Sequence, residues 1–168
     1  MTAISETEAS GQTQNPLDVV EEVVSAFDWS FERPSVEEML AEVAGRWGTY
    51  RLFFYWQEDV AAMQFSCQFD MKVPESRAAE IVDLLAMVNE RMWLGHFDVD
   101  ADDSTPMFRH TLLLRGTQGA TIEQIEDLVD VAVTECERFF PAFQFVMTGG
   151  KSAEDAVSAA ILDVAGEA

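Results

Sequence analysis

An α+β fold, with an antiparallel sheet of about five strands and helices packed on one side of it, follows from three features of this 168-residue sequence. Three segments carry apolar residues at helical spacing: Leu17 to Phe27, Ala78 to Met92 and Ile122 to Phe143. Between them, apolar and polar residues alternate in short runs, the period of a half-buried strand. One of these runs folds back on itself so that one face is wholly apolar or aromatic and the other mixed.

Residues 1–14 are small and polar with two acidic residues and no apolar period, which predicts a disordered acidic tail ahead of a single domain over 15–168. Asn15-Pro16 then reads as a helix cap followed by proline at the first helical position. Leu17, Val20, Val24 and Phe27 carry that helix forward. "DWSFERPS" is read as an irregular connection, and Met39, Ala41 and Val43 as the buried side of a short strand. The next run predicts a hairpin. With Glu58-Asp59 as its turn, Trp56 faces Ala61, Phe54 faces Met63, Leu52 faces Phe65 and Tyr50 faces Cys67. Arg51, Phe53 and Tyr55 fall on the other face, with Ser66, Gln64 and Ala62.

Pro74 opens a second helix, whose stripe is Ala78, Ile81, Leu85, Val88 and Met92 and whose stop is Gly95. Two strands follow, one around Phe97 and Val99 and one in "FRHTLLLR". Thr121 and Gln124 have the spacing of a capping box. From there Ile122, Ile125, Val129, Ala132, Cys136, Phe139 and Phe143 hold helical period, with a kink or break expected at Pro141. Gly149-Gly150 stops this helix, and Ser152 with Asp155 caps a last short one. The predicted order is α-β-β-β-α-β-β-α with a short helix to finish.

The formal net charge is −21. Such a chain repels phosphate backbones and anionic lipid heads, so neither nucleic acid nor a membrane surface is an expected partner. No stretch approaches the ~18 apolar residues of a membrane span. "MTAISETEASGQTQN" has neither the basic nor the apolar region of a secretory signal. Cys67 and Cys136 lie far apart with no CxxC spacing. A cytoplasmic protein with two reduced thiols is expected.

The stretch "NERMWLGHFDVDADDSTPMFRH" holds both histidines and a run of aspartates. Asp98, Asp100 and Asp102 imitate the start of a calcium loop. The pattern then fails, because Asp103 stands where the turn needs glycine and Arg109 where it needs a bidentate carboxylate. Matching the apolar faces of the two strands places His96 opposite Thr111, Asp98 opposite Arg109 and His110 opposite Phe97. The histidines then lie on opposite faces and cannot share a metal. "GGKS" at 149–152 lacks the upstream glycine of a phosphate-binding loop, which here is Phe145, and follows a helix where a strand is required. The cysteines fall on core stripes, and the carboxylates on solvated faces. No catalytic, metal or cofactor residue is assigned. The groups left over are large apolar side chains outside the expected core: Phe53, Tyr55 and Trp93, the candidate partner-binding residues.

The segments "NPLDVVEEV", "FERPS", "YRLFFYW", "VNERMWLGHFD", "FRHTLLLRG", "CERFFPAFQFV" and "GGKSAEDA", in this order, resemble the bacterial YbjN family. The resemblance runs from about Asn15 to the end. It implies a sensory transduction regulator whose fold is similar to that of type III secretion chaperones, small acidic proteins, often dimeric, that bind segments of partner proteins without catalysis. It transfers a role to no residue. The expected function is therefore a non-enzymatic protein-binding module, chaperone-like or regulatory, engaging a protein partner, a second copy of itself as a homodimer, or both. The alternative is a small-molecule sensor with a pocket between the sheet and the helix near Pro141.

Overall fold

A computed structural model describes residues 12–149 and 152–165. The elements are α1 (Leu17–Ala26), β1 (Ser30–Glu32), β2 (Glu38–Ala44), β3 (Thr49–Gln57), β4 (Ala62–Gln68), α2 (Ala78–Asn89), β5 (His96–Val99), β6 (Pro106–Leu113), α3 (Ile122–Thr148) and α4 (Ala153–Ala165). The six strands form one antiparallel sheet in the order β1-β2-β3-β4-β6-β5. Compared with the sequence reading there is one strand more. β1 is three residues long and offers one apolar side chain, Phe31, too little for an alternation to register.

Side chains alternate across the sheet, and the two faces differ in kind. Inward rungs run Met39–Phe54–Phe65–His110 and Ala41–Leu52–Cys67–Phe108–Phe97. Every member of these rungs except His110 is buried. The helices cover this side. Ile125, Val129, Ala132, Cys136, Phe139 and Phe143 of α3 are all buried there, as the helical spacing predicts. So are Leu17, Val20 and Val24 of α1 and Ile81, Leu84 and Val88 of α2.

Local chemistry accounts for the ends of the elements. Asn15 Oδ1 accepts from the Leu17 N–H at 2.9 Å, so this residue caps α1. Thr121 and Gln124 form the reciprocal capping box, at 2.9 and 3.2 Å. The Asp155 N–H donates to Ser152 Oγ at 3.2 Å. Gly150 and Lys151 of "GGKS" and residues 1–11 of the expected tail lie outside the described residues. Residues 12–14 lie against the domain, with the Gln14 N–H donating to the Gln118 carbonyl at 2.9 Å.

Three expectations are corrected. Both hairpin registers are displaced by two residues: Leu52 pairs with Cys67 and Phe54 with Phe65, while His96 pairs with Arg109 and Phe97 with Phe108. The β3–β4 connection is not a two-residue turn. A 3₁₀ turn over Glu58–Val60 is closed by Ala61 in the left-handed region at φ 48°. A shift of two leaves every side chain on its predicted face, because the period of a strand is two. Second, α2 ends at Asn89, well before Gly95. Asn89 then latches the helix to β5, its amide donating to the Phe97 carbonyl (3.0 Å) and accepting from the Phe97 N–H (2.6 Å). Gly95 instead lets the chain enter β5 at φ 65°, where a Cβ would stand 2.3 Å from the Phe108 ring. Third, α3 does not break at Pro141: it is one helix of 27 residues with the proline inside it.

Candidate functional site: the helix-free face of the sheet

The outward rungs of the sheet read differently from the inward ones. They run Leu40–Phe53–Ser66–Arg109–His96, Glu38–Tyr55–Gln64–Thr111 and Glu42–Arg51–Gln68–Met107–Asp98. Over β3, β4 and β6 the face is hollowed into a groove of about 500 Å³. Phe53 and Tyr55 form one wall, the uncharged Gln64, Ser66, Gln68 and Thr111 line its floor, and His96, Met107 and Arg109 stand on the far side. Phe53 is half-buried, Tyr55 is 38% exposed, and Met107 is buried although it faces away from the core. Among the described residues lining the groove, Asp100 is the one carboxylate, and Asp98 pairs with Arg109 at its margin.

Phe53 and Tyr55, predicted as exposed aromatics, are thus brought together on this face. Trp93 is not among the residues lining the groove. It is 76% exposed in the connection between α2 and β5. Sequence reasoning missed Gln64, Ser66, Gln68, Met107, Arg109 and Thr111 as groove residues. Alternation had already put Gln64 and Ser66 on the face of Phe53 and Tyr55. That polar side chains would line a hollow depends on the shape of the sheet, which alternation does not carry.

The residues of "NERMWLGHFDVDADDSTPMFRH" go to structural tasks. Asp100 Oδ1 accepts from the Asp102 and Asp103 N–H groups at 2.8 and 3.2 Å, and Asp103 Oδ1 from the Thr105 N–H at 3.0 Å. These carboxylates hold the β5–β6 turn, and the bonds from Thr105 keep Asp103 below the usual carboxylate pKa. Asp98 and Arg109 form an ion pair at 3.1 Å, on a diagonal because Asp98 lies opposite Met107. His96 faces outward beside Arg109, and His110 faces the helix side opposite Phe65. Burial, with a smaller contribution from His96, draws the His110 pKa below its usual value. Among the described residues no group of three or more His, Cys, Asp or Glu side chains is placed to hold a metal ion.

The space under Pro141, where the alternative reading needs a pocket, is filled by aromatic rings. Phe69 meets Phe140 and Phe143 at centroid distances of 5.5 and 5.2 Å, and Phe97 meets Phe139 and Phe143 at 5.8 and 5.7 Å. Among the described residues no helix is long and apolar enough to cross a membrane.

Fold and site together define an α+β protein with a one-sided antiparallel sheet and a grooved, helix-free face. The family model of YbjN, described as "putative bacterial sensory transduction regulator", matches residues 16–145. The chain belongs to the YbjN family. Among solved structures it is similar to a crystal structure of YbjN, described as "a putative transcription regulator from E. coli". That similarity has a TM-score of 0.51 at 16% identity and covers 72% of this chain and 85% of that one. It shows a shared fold. A crystal structure of the ExsC-ExsE complex aligns with a TM-score of 0.48 at 14% identity, covering 72% of this chain and 90% of that one. None of the curated proteins compared with the chain matches it.

Proposed function

We propose that this YbjN-family chain is a non-enzymatic, cytoplasmic protein-binding module, chaperone-like or regulatory, and that the partner docks on the helix-free face of the sheet. The observation that carries the reading is the groove, with the Phe53 and Tyr55 rings beside it on a face that no helix of the described structure covers. Aromatic rings above uncharged hydrogen-bonding side chains suit a protein segment that buries an apolar anchor and pairs its polar groups around it. The low carboxylate content matters too, because a net charge of −21 elsewhere hinders close approach of any acidic surface, a second copy of this chain included. The same charge speaks against a role on nucleic acid, despite the "transcription regulator" description of the E. coli protein. The module is taken to be a single domain from residue 15 onward, preceded by a polar tail.

The test compares tagged wild type with a Phe53→Glu, Tyr55→Glu double variant, both purified from the native cell and both checked for folding. The wild type is expected to carry a partner or to self-associate across a concentration series, and the folded variant to lose that association. Equal behaviour of the two as bare monomers would count against this face.

A further inference from the structure

Cys67 and Cys136 stand 69 residues apart in the chain, and the fold brings their sulfurs to 3.6 Å. Cys67 lies in the inward rung of β4 between Leu52 and Phe108, and Cys136 on the buried stripe of α3. Both are free thiols, fully shielded from solvent. The Cys136 thiol also points toward the Cys67 carbonyl, at 3.9 Å. We propose that this pair is an oxidation site, at which a two-electron oxidant of the peroxide class joins the two sulfurs in an intramolecular disulfide that fastens α3 to β4.

The chemistry balances within the pair. One thiolate attacks a peroxide oxygen, breaks the O–O bond and becomes a sulfenic acid while hydroxide leaves. The second thiolate attacks that sulfur and expels its oxygen as a second hydroxide. The two protons given up by the thiols convert the hydroxides to water, so two thiols and one hydrogen peroxide yield one disulfide and two waters. A disulfide is about 2.0 Å long, so the sulfurs have ~1.5 Å to close on bonding. Because each sulfur's neighbour is the other, a sulfenic acid formed on either meets a thiol before a second peroxide. Burial governs the rate. It pushes the Cys136 thiol well above its ordinary pKa, with the contact to Cys67 adding to the effect, and thiolate is therefore scarce at neutral pH. The pair stays reduced under mild conditions and reacts when the core opens briefly. Ser66 and Gln68, the neighbours of Cys67 in sequence, line the groove on the opposite face. The bond would anchor the floor strand of that groove from behind, whether or not a protein partner docks there.

The experiment treats the reduced full chain with hydrogen peroxide. Remaining thiols are then alkylated in denaturant, and intact mass, peptide map and thermal melt are recorded. The expected product is monomeric, about 2 Da lighter than the reduced chain and resistant to alkylation. Its Cys67 and Cys136 peptides are linked, it melts several degrees higher, and dithiothreitol reverses both changes. A Cys136→Ala variant, shown to fold by circular dichroism, is expected to form no such product. Two alkylated thiols after treatment, separate sulfinic or sulfonic acids, disulfide-linked dimers, or a bond that lowers the melting temperature would each overturn the proposal. If the variant does not fold, the mass and melt of the wild type decide the question alone.

Discussion

The two faces of this sheet are built from the same strands, residue by residue in alternation, yet they have different chemistry. The inward face is packed with rings: Phe54, Phe65, Phe69, Phe97 and Phe108 interlock with one another and with Phe139 and Phe143 of α3. The outward face carries Phe53 and Tyr55 amid glutamine, serine, threonine, histidine and arginine, with the carboxylates of Glu38, Glu42 and Asp98 toward its edges. The first arrangement stabilises the fold by excluding water. The second leaves apolar area beside hydrogen-bonding groups that water must satisfy, which a core does not need and a binding surface does.

The contrast can be broken most strongly by truncating a ring on each face. Phe143→Ala is expected to cost about 3–5 kcal/mol of unfolding free energy, as wholly buried aromatics do. Phe53→Ala is expected to cost about 1 kcal/mol or less, because its ring is only partly covered, on a face that no helix packs against. Urea unfolding of both variants beside the wild type measures the gap. Equal losses would mean that the outward face is a second core.

A smaller effect sharpens the comparison at the place where the faces meet solvent. β5 ends its pairing at His96 opposite Arg109, so His110 on the inward side has no β5 neighbour and is half-buried. Burial depresses its folded pKa below the usual 6.5, so the folded state holds its proton less well than the unfolded chain. The stability this contributes is complete above pH 6.5 and is lost as the pH falls through the folded pKa. The reading is the difference between wild type and His110→Gln, which cancels whatever the two proteins share. That difference in urea midpoint is expected to move against the wild type between pH 7.5 and 5.5. A constant difference would place His110 in solvent.

The smallest effects belong to exposed details. Arg109→Ala removes an ion pair whose partners are both nearly half exposed, and is expected to change stability by only ~0.2–1 kcal/mol. Ala61→Gly relieves a left-handed backbone at the β3–β4 turn and is expected to stabilise by roughly 0.5–1 kcal/mol. Thermal melts resolve both signs.

What the sequence made legible follows from what periodicity encodes. Alternation assigned Leu52, Phe54 and Cys67 to one face and Phe53, Tyr55, Gln64 and Ser66 to the other, and those assignments survive a two-residue error of register. Register itself depended on the geometry of Glu58–Ala61, which carries no standard turn signature. Helical spacing located α1, α2 and α3, but their ends needed specific contacts. Asn15 and Thr121 announce theirs by capping chemistry, whereas the Asn89 latch to Phe97 joins two elements in space and leaves no local pattern. The approach of Cys67 to Cys136 is of the same kind, as it depends on how α3 lies across β4. Trp93 shows the opposite limit. Its position off the α2 stripe predicted exposure correctly, and exposure alone did not bring it to the groove.

The proposal that a partner docks on the helix-free face can be tested directly. A photoreactive phenylalanine analogue placed at Tyr55, and separately at Leu162 on α4, whose side chain is 70% exposed, would test it in the native cell. A discrete protein adduct is expected on irradiation from position 55 and none from position 162. Adducts from position 162 alone, or in equal yield from both, would contradict it.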